Sequence, residues 1–199
     1  FRSYLEALRN NSELIEITTA TDARDIAALV PQAEQAILFQ KVTGYSMPVA
    51  SCLLQSRNRL ALAMGVPYEK IESKLRAAME HPIAPQRVQH GAVKEVVRTG
   101  RDINLFDLPV PVFSIMDGGP MITGGVVIGE DPEFGMNAGI YRLMLKERDI
   151  TGIDIVTPNN LRKFAERALQ QQKPLPISIF RGFIASGTSR TSSIESRPS

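Results

Sequence analysis

Within one short stretch, Asn137-Ala138-Gly139-Ile140-Tyr141-Arg142, the chain combines an amide, a glycine, a phenol and a guanidinium. At the two-residue period of an extended segment, Asn137, Gly139 and Tyr141 face one way, and Ala138, Ile140 and Arg142 the other. Gly139 permits close approach to the backbone. Arg142 stands among apolar residues, and a guanidinium withdrawn from water needs an anion or carboxylate opposite it. An edge strand carrying a surface arginine fits the same pattern, and spacing alone leaves both readings open. Carboxylates for a hard-metal site exist in Asp102, Asp107, Asp117, Glu130, Asp131 and Glu133. They follow no EF-hand spacing, and scattered surface acids are the simpler account.

Other chemistries lack material. The only histidines are His81 and His90, in or beside a proline-rich connector, too few for a His-rich zinc site. Cys52 is the single cysteine, which excludes an intrachain disulfide, and it reads as a small buried hydrophobe. Gly118-Gly119 and Gly124-Gly125 make no Gly-x-Gly-x-x-Gly fingerprint, and neither a Walker A loop nor a Gly-x-Ser-x-Gly elbow occurs. The 199 residues carry 23 Lys and Arg against 21 Asp and Glu, a net charge of +2 that leaves no footprint for nucleic acid or an anionic membrane. At 43% hydrophobic and 22% charged the chain is globular in composition. No apolar run approaches the roughly 20 residues of a membrane span. No charged n-region with an apolar h-region opens the sequence, so a cytoplasmic location is expected.

The elements that must position these residues follow from periodicity and punctuation. Phe1, Leu5 and Leu8 share a helical face over 1–10, followed by a strand at 14–18. A helix capped by Thr21 or Asp22 is expected over 23–35, disturbed by Pro31. Strands are expected at 36–39 and 49–54. A helix at 57–64 should close on Gly65, and another should run from Pro67 to about Met79. In the second half, 92–97 reads as a strand and 103–113 as an extended link marking a domain join. Strands 121–129 and 138–146 should be joined through 130–135. A strand at 153–156, an amphipathic helix over 158–172 and a strand from Pro176 complete the pattern. Residues 181–199, rich in Ser, Thr and Arg, should be disordered. The organisation expected is thus α/β (α+β), with domains at 1–102 and 103–180 and a tail at 181–199.

Several stretches together resemble the UbiD family of decarboxylases. They are Phe1–Leu8 with Glu13-Leu14, Ala36–Gly44, Pro82–Pro85, Ile103–Pro109, Ile122-Thr123-Gly124-Gly125, Asp131-Pro132 and Asn137–Arg142, in that order over about 1–180. The resemblance implies an N-terminal α/β domain followed by part of an FMN-binding split β-barrel. It implies prenylated FMN, a divalent metal (manganese or magnesium) and potassium as a further candidate. It also implies an aromatic, hydroxybenzoate-like acid as substrate, a flavin prenyltransferase as cofactor supplier, and homo-oligomerisation of a full-length form. By the same resemblance Asn137 holds the metal, Arg142 meets the substrate carboxylate and the cofactor, and Thr123, Ile140 and Tyr141 lie along the flavin.

Two departures stand out. Where the family places a metal-binding histidine, this chain has Asn160, whose oxygen still suits a hard cation while imidazole affinity is lost. Family members also run to more than twice this length, and their catalytic glutamates find no match, so the sequence reads as truncated. A non-catalytic fragment that binds flavin phosphate or a partner is the second expectation. An ordinary FMN split-barrel oxidoreductase is the third.

Overall fold

The computed structural model describes residues 1–84, 86, 88–91 and 94–180. The tail at 181–199 lies outside the described residues, as do Ala92 and Val93 of the strand expected over 92–97. The described residues form two units, 1–91 with 107–115 and 94–106 with 116–180, each mixing helix and sheet.

In the first unit, helix α1 (Arg2–Asn10) turns Tyr4 and Leu8 inward, one helical turn apart. Strand β1 (Leu14–Ile17) pairs in parallel with β2 (Ala36–Phe39), and β2 pairs antiparallel with β3 (Val49–Ser51). Ile26, Ile37, Phe39, Val42 and Val49 form one core cluster, and Tyr4, Leu8, Ala36 and Ala63 a second. The Tyr4 hydroxyl reaches the carbonyls of Leu53 at 2.6 Å and Arg59 at 2.9 Å. Arg59 is itself buried, with Nη1 donating to Glu13 at 2.8 Å and to the Glu34 carbonyl at 2.9 Å.

Punctuation residues shorten several expected elements. The helix expected over 23–35 is only α2 (Ile26–Leu29), followed by a 3₁₀ turn at Val30–Gln32, because Pro31 has no N–H to continue it. Strand β3 ends at Ser51 rather than at 54, since Cys52 takes a φ of +58°. Helix α3 (Arg57–Met64) starts on the Ser56 side chain and ends on Gly65 at φ +63°, as expected. Pro67 is extended and precedes a 3₁₀ turn, so α4 (Ile71–Glu80) begins late.

In the second unit, β4 (Met121–Asp131), β5 (Gly135–Leu145), β6 (Thr151–Ile153) and β7 (Ile177–Phe180) form an antiparallel sheet in the order β6-β5-β4-β7. The connection between β4 and β5 is tighter than expected. Asp131 Oδ1 accepts the N–H groups of Glu133 at 2.9 Å and Phe134 at 3.2 Å, and Gly135 takes a φ of +74°. Helix α5 (Asn160–Gln170) lays Leu161 and Phe164 on the sheet, where Val127, Leu143 and Ile179 complete the core. The helix packs close over Gly129, where a Cβ would be in ordinary van der Waals contact with Leu161 Cδ1 at 3.4 Å.

Lys94–Val97 is not a strand; Val96 and Val97 are exposed, so pairing there would bury nothing. The link at 103–113 is not extended throughout, because a 3₁₀ turn at Leu105–Asp107 buries Leu105, whose N–H donates to the Arg148 carbonyl at 2.6 Å. Strand β6 lies earlier than the strand expected at 153–156 because Asp154 turns the chain, its Oδ1 accepting from the Val156 N–H at 3.4 Å. Among the described residues, no helix is long and apolar enough to cross a membrane.

Candidate cofactor and carboxylate site

The site grows from an irregularity in the longest strand pair. The β4–β5 ladder shifts between Ile122↔Leu143 and Gly125↔Tyr141, so Thr123 and Gly124 together stand opposite Arg142. Such a bulge sharpens twist and re-aims the side chains beside it. A Cβ at Gly125 would lie 2.3 Å from Leu143 Cδ1, so any side chain there would force Leu143 to shift in the core.

One face of β5 is organised by α5. The Tyr141 ring lies over Gly139, where a Cβ would stand 2.7 Å from Tyr141 Cε2, so the group that approaches Gly139 is the chain's own phenol. The Tyr141 hydroxyl donates to Asn159 Oδ1 at 3.1 Å. That same oxygen caps α5 by accepting the Arg162 N–H at 2.9 Å, and Asn159 Nδ2 donates to the Thr157 carbonyl at 2.7 Å. One residue on, Asn160 Nδ2 donates to Asn137 Oδ1 at 3.0 Å. At the other end of α5, the Arg167 guanidinium bonds Glu133, has Nε 3.4 Å from Asp131 Oδ2, and sits 5.6 Å from the Phe134 ring centroid. Phe134 stacks on Phe164 at 6.3 Å.

The opposite face of β5 stays open, with Ile140 74% exposed. Arg142 is exposed too, at 63% of its side chain, and its Nη2 bonds Asp154 Oδ2. The Asp154 N–H donates to the Arg142 carbonyl at 3.1 Å, so the pair occupies the rung beyond Leu143↔Ile153. The guanidinium, with help from the Val156 N–H, holds the Asp154 carboxyl below the usual range. A cleft of about 330 Å³ opens here, lined by Gly139, Ile140, Tyr141, Arg142, Asp154, Thr157 and Asn159.

The structure therefore divides the expected residues. Ile140, Tyr141 and Arg142 line the cleft. Asn137 and Asn160 pair beside it, and Thr123 sits across the ladder on the bulge. Arg142 is not buried among apolar neighbours, yet it does face a carboxylate. Sequence reading missed that partner, because an isolated aspartate in an apolar segment carries no pattern. It also missed Asn159, although an asparagine just after Pro158 and before an amphipathic run is a helix-capping signal.

Among the described residues, no group of three or more His, Cys, Asp and Glu side chains could hold a metal ion. The Asn137–Asn160 pair offers neutral amide oxygens, hard donors that fit part of a magnesium or manganese shell. The guanidinium and the exposed apolar strand fit an anionic, ring-bearing ligand.

Residues 5–79 match the N-terminal domain of 3-octaprenyl-4-hydroxybenzoate carboxy-lyase, and residues 86–187 its Rift-related domain. A phenolic acid decarboxylase of Sedimentibacter hydroxybenzoicus is 31% identical over 91% of this chain, and an anhydromevalonate phosphate decarboxylase of Methanosarcina mazei is 30% identical over 92%. The chain spans 42% of the length of each. The UbiD-class enzyme HmfF of Pelotomaculum thermopropionicum, solved with FMN, superimposes with a TM-score of 0.84 at 35% identity, over 91% of this chain and 42% of its own. Both units are matched in order, and the chain belongs to the UbiD family.

Proposed function

We propose that the protein containing this chain performs reversible, non-oxidative decarboxylation of an aromatic or unsaturated acid of the hydroxybenzoate kind, with prenylated FMN. The observation that carries the reading is the cleft where Ile140, Tyr141 and Arg142 meet the capped end of α5. Similar proteins named as decarboxylases, and a form of HmfF solved with prFMN, support it.

In this reading Arg142 receives the substrate carboxylate. Its planar fork matches the two oxygens and orients the bond to be broken. Ile140 offers an apolar surface to the substrate or flavin ring. Tyr141, fixed by Gly139 beneath its ring and Asn159 at its hydroxyl, forms a rigid wall. Asn137 and Asn160 would hold manganese or magnesium through amide oxygens, with potassium as a further ion, and such a cation would offset the charge of the cofactor phosphate. Thr123, on the bulge, would lie along the flavin. When bound, prenylated FMN supplies the electron sink for loss of CO₂. The cofactor comes from a flavin prenyltransferase, and the full-length form is a cytoplasmic homo-oligomer. Residues 1–102 serve as the N-terminal domain and 103–180 as part of the flavin-binding barrel.

The test is Arg142→Ala in the whole, cofactor-loaded protein. Decarboxylation measured as CO₂ release should fall by about a thousandfold while the flavin spectrum persists, because a contact that orients the reacting group is lost. Undiminished turnover would remove Arg142 from the reaction. Cofactor capture without turnover by the wild-type protein would favour a non-catalytic binding role.

A further inference from the structure

We propose that Asp154 is a specificity residue: with Arg142 it forms a neutral pair that accepts an acid bearing one negative charge and disfavours one bearing two. The inference rests on the acid-binding reading of the cleft. A guanidinium alone in an open cleft attracts anions of any charge, and more strongly as that charge rises. Here the cation is already answered. Asp154 Oδ2 takes Nη2, and both residues line the same 330 Å³ cleft.

Arg142 carries five N–H donors, so the contact through Nη2 leaves others for a ligand. The pair is exposed, and such pairs are individually weak, so a carboxylate can share the guanidinium without extracting it from a deep well. Asp154 stays ionised beside Arg142. A ligand carboxylate on Arg142 is therefore attracted by one full charge and repelled by another nearby. Among the described residues that line the cleft, no second cation is present to answer another ligand carboxylate, and that group is repelled by Asp154 as well. At partly screened distances of a few ångströms that repulsion amounts to roughly tenfold in affinity.

Asp154→Asn keeps the shape and an amide oxygen for Arg142 while removing the charge. Benzoate and phthalate are titrated by calorimetry into the whole protein, wild type and Asp154→Asn, with Arg142→Gln as the second variant. Asp154→Asn removes the repulsion from one carboxylate of benzoate and from two of phthalate, so phthalate affinity should rise roughly tenfold more than benzoate affinity. A purely structural role for Asp154 would move both acids together, and an equal change, or none, overturns the proposal while leaving the acid-binding reading standing. Arg142→Gln should abolish binding of both acids. If benzoate still binds Arg142→Gln, or if neither acid binds the wild-type protein, the acid-binding reading itself fails and the proposal falls with it.

Discussion

Asn160 shows how much a single residue leaves open until its neighbours are placed. Resemblance brings it and Asn137 to a metal, although 23 positions separate them in sequence. The helix brings them into contact, with Asn160 Nδ2 on Asn137 Oδ1 at 3.0 Å. That hydrogen bond holds two amides at one point, and a cation would have to compete with it for Asn137 Oδ1 or use its second lone pair. An imidazole at 160 would supply a stronger donor to manganese than an amide oxygen. Asn160→His in the whole protein should therefore tighten Mn²⁺ binding by about tenfold, measured by calorimetry. Equal affinity for the two versions removes residue 160 from the ligand set. The sequence left Arg142 open between a buried anion-seeking group and a surface arginine on an edge strand, and the structure exposes it. Its intramolecular partner was not legible, because Asp154 is joined to it only by the β5–β6 register.

Helix α5 is the element on which the site turns. Asn160 reaches β5, Leu161 and Phe164 pack on the sheet over Gly129, and Arg167 grips the hairpin carrying Asp131, Glu133 and Phe134. These contacts fall about a turn apart, so one helix is anchored along its length on one hairpin. Asp131 is buried, with only 6% of its side chain exposed, and Arg167 is the cation beside it. Arg167→Ala leaves that carboxylate without its partner and removes the face over Phe134. Arg167→Ala should therefore lower the midpoint of urea unfolding. An unshifted midpoint would show that the hydrophobic contacts alone seat the helix. The helix and both long strands were readable from periodicity. Their ends moved by a few residues where Asn159, Asp154, Asp131 and Gly135 formed local hydrogen bonds or turns that a hydrophobic pattern does not register.

At the scale of the molecule, each unit carries its own core and its own buried polar contacts. In the first, Tyr4 is inserted between the carbonyls of Leu53 and Arg59, and burial pushes its hydroxyl up to about 12, against the opposing pull of Arg59. A proton held more tightly in the folded state than in the unfolded one stabilises the fold below the unfolded pKa near 10. That contribution should fade as pH rises from about 10 through about 12, lowering the thermal midpoint, and Tyr4→Phe should flatten this alkaline slope. The same substitution should cost about 1–2 kcal/mol at neutral pH, since the one O–H that the two carbonyls share is lost. An unchanged slope in Tyr4→Phe would place the alkaline titration elsewhere. By itself the sequence determined the order of most elements, the mixed α/β class, the Gly65 cap and the strand on which Asn137, Tyr141 and Arg142 reside. Those features depend on residues near one another along the chain, through side-chain period, turn chemistry and caps. Tertiary structure alone decided that Thr123 sits on a bulge opposite Arg142, that Asn160 meets Asn137, that Tyr141 covers Gly139 and anchors to Asn159, and that Arg142 faces water with Asp154 beside it. Each of those depends on strand register or helix docking, and a shift of one residue in either changes the partner without altering the local pattern that a sequence displays.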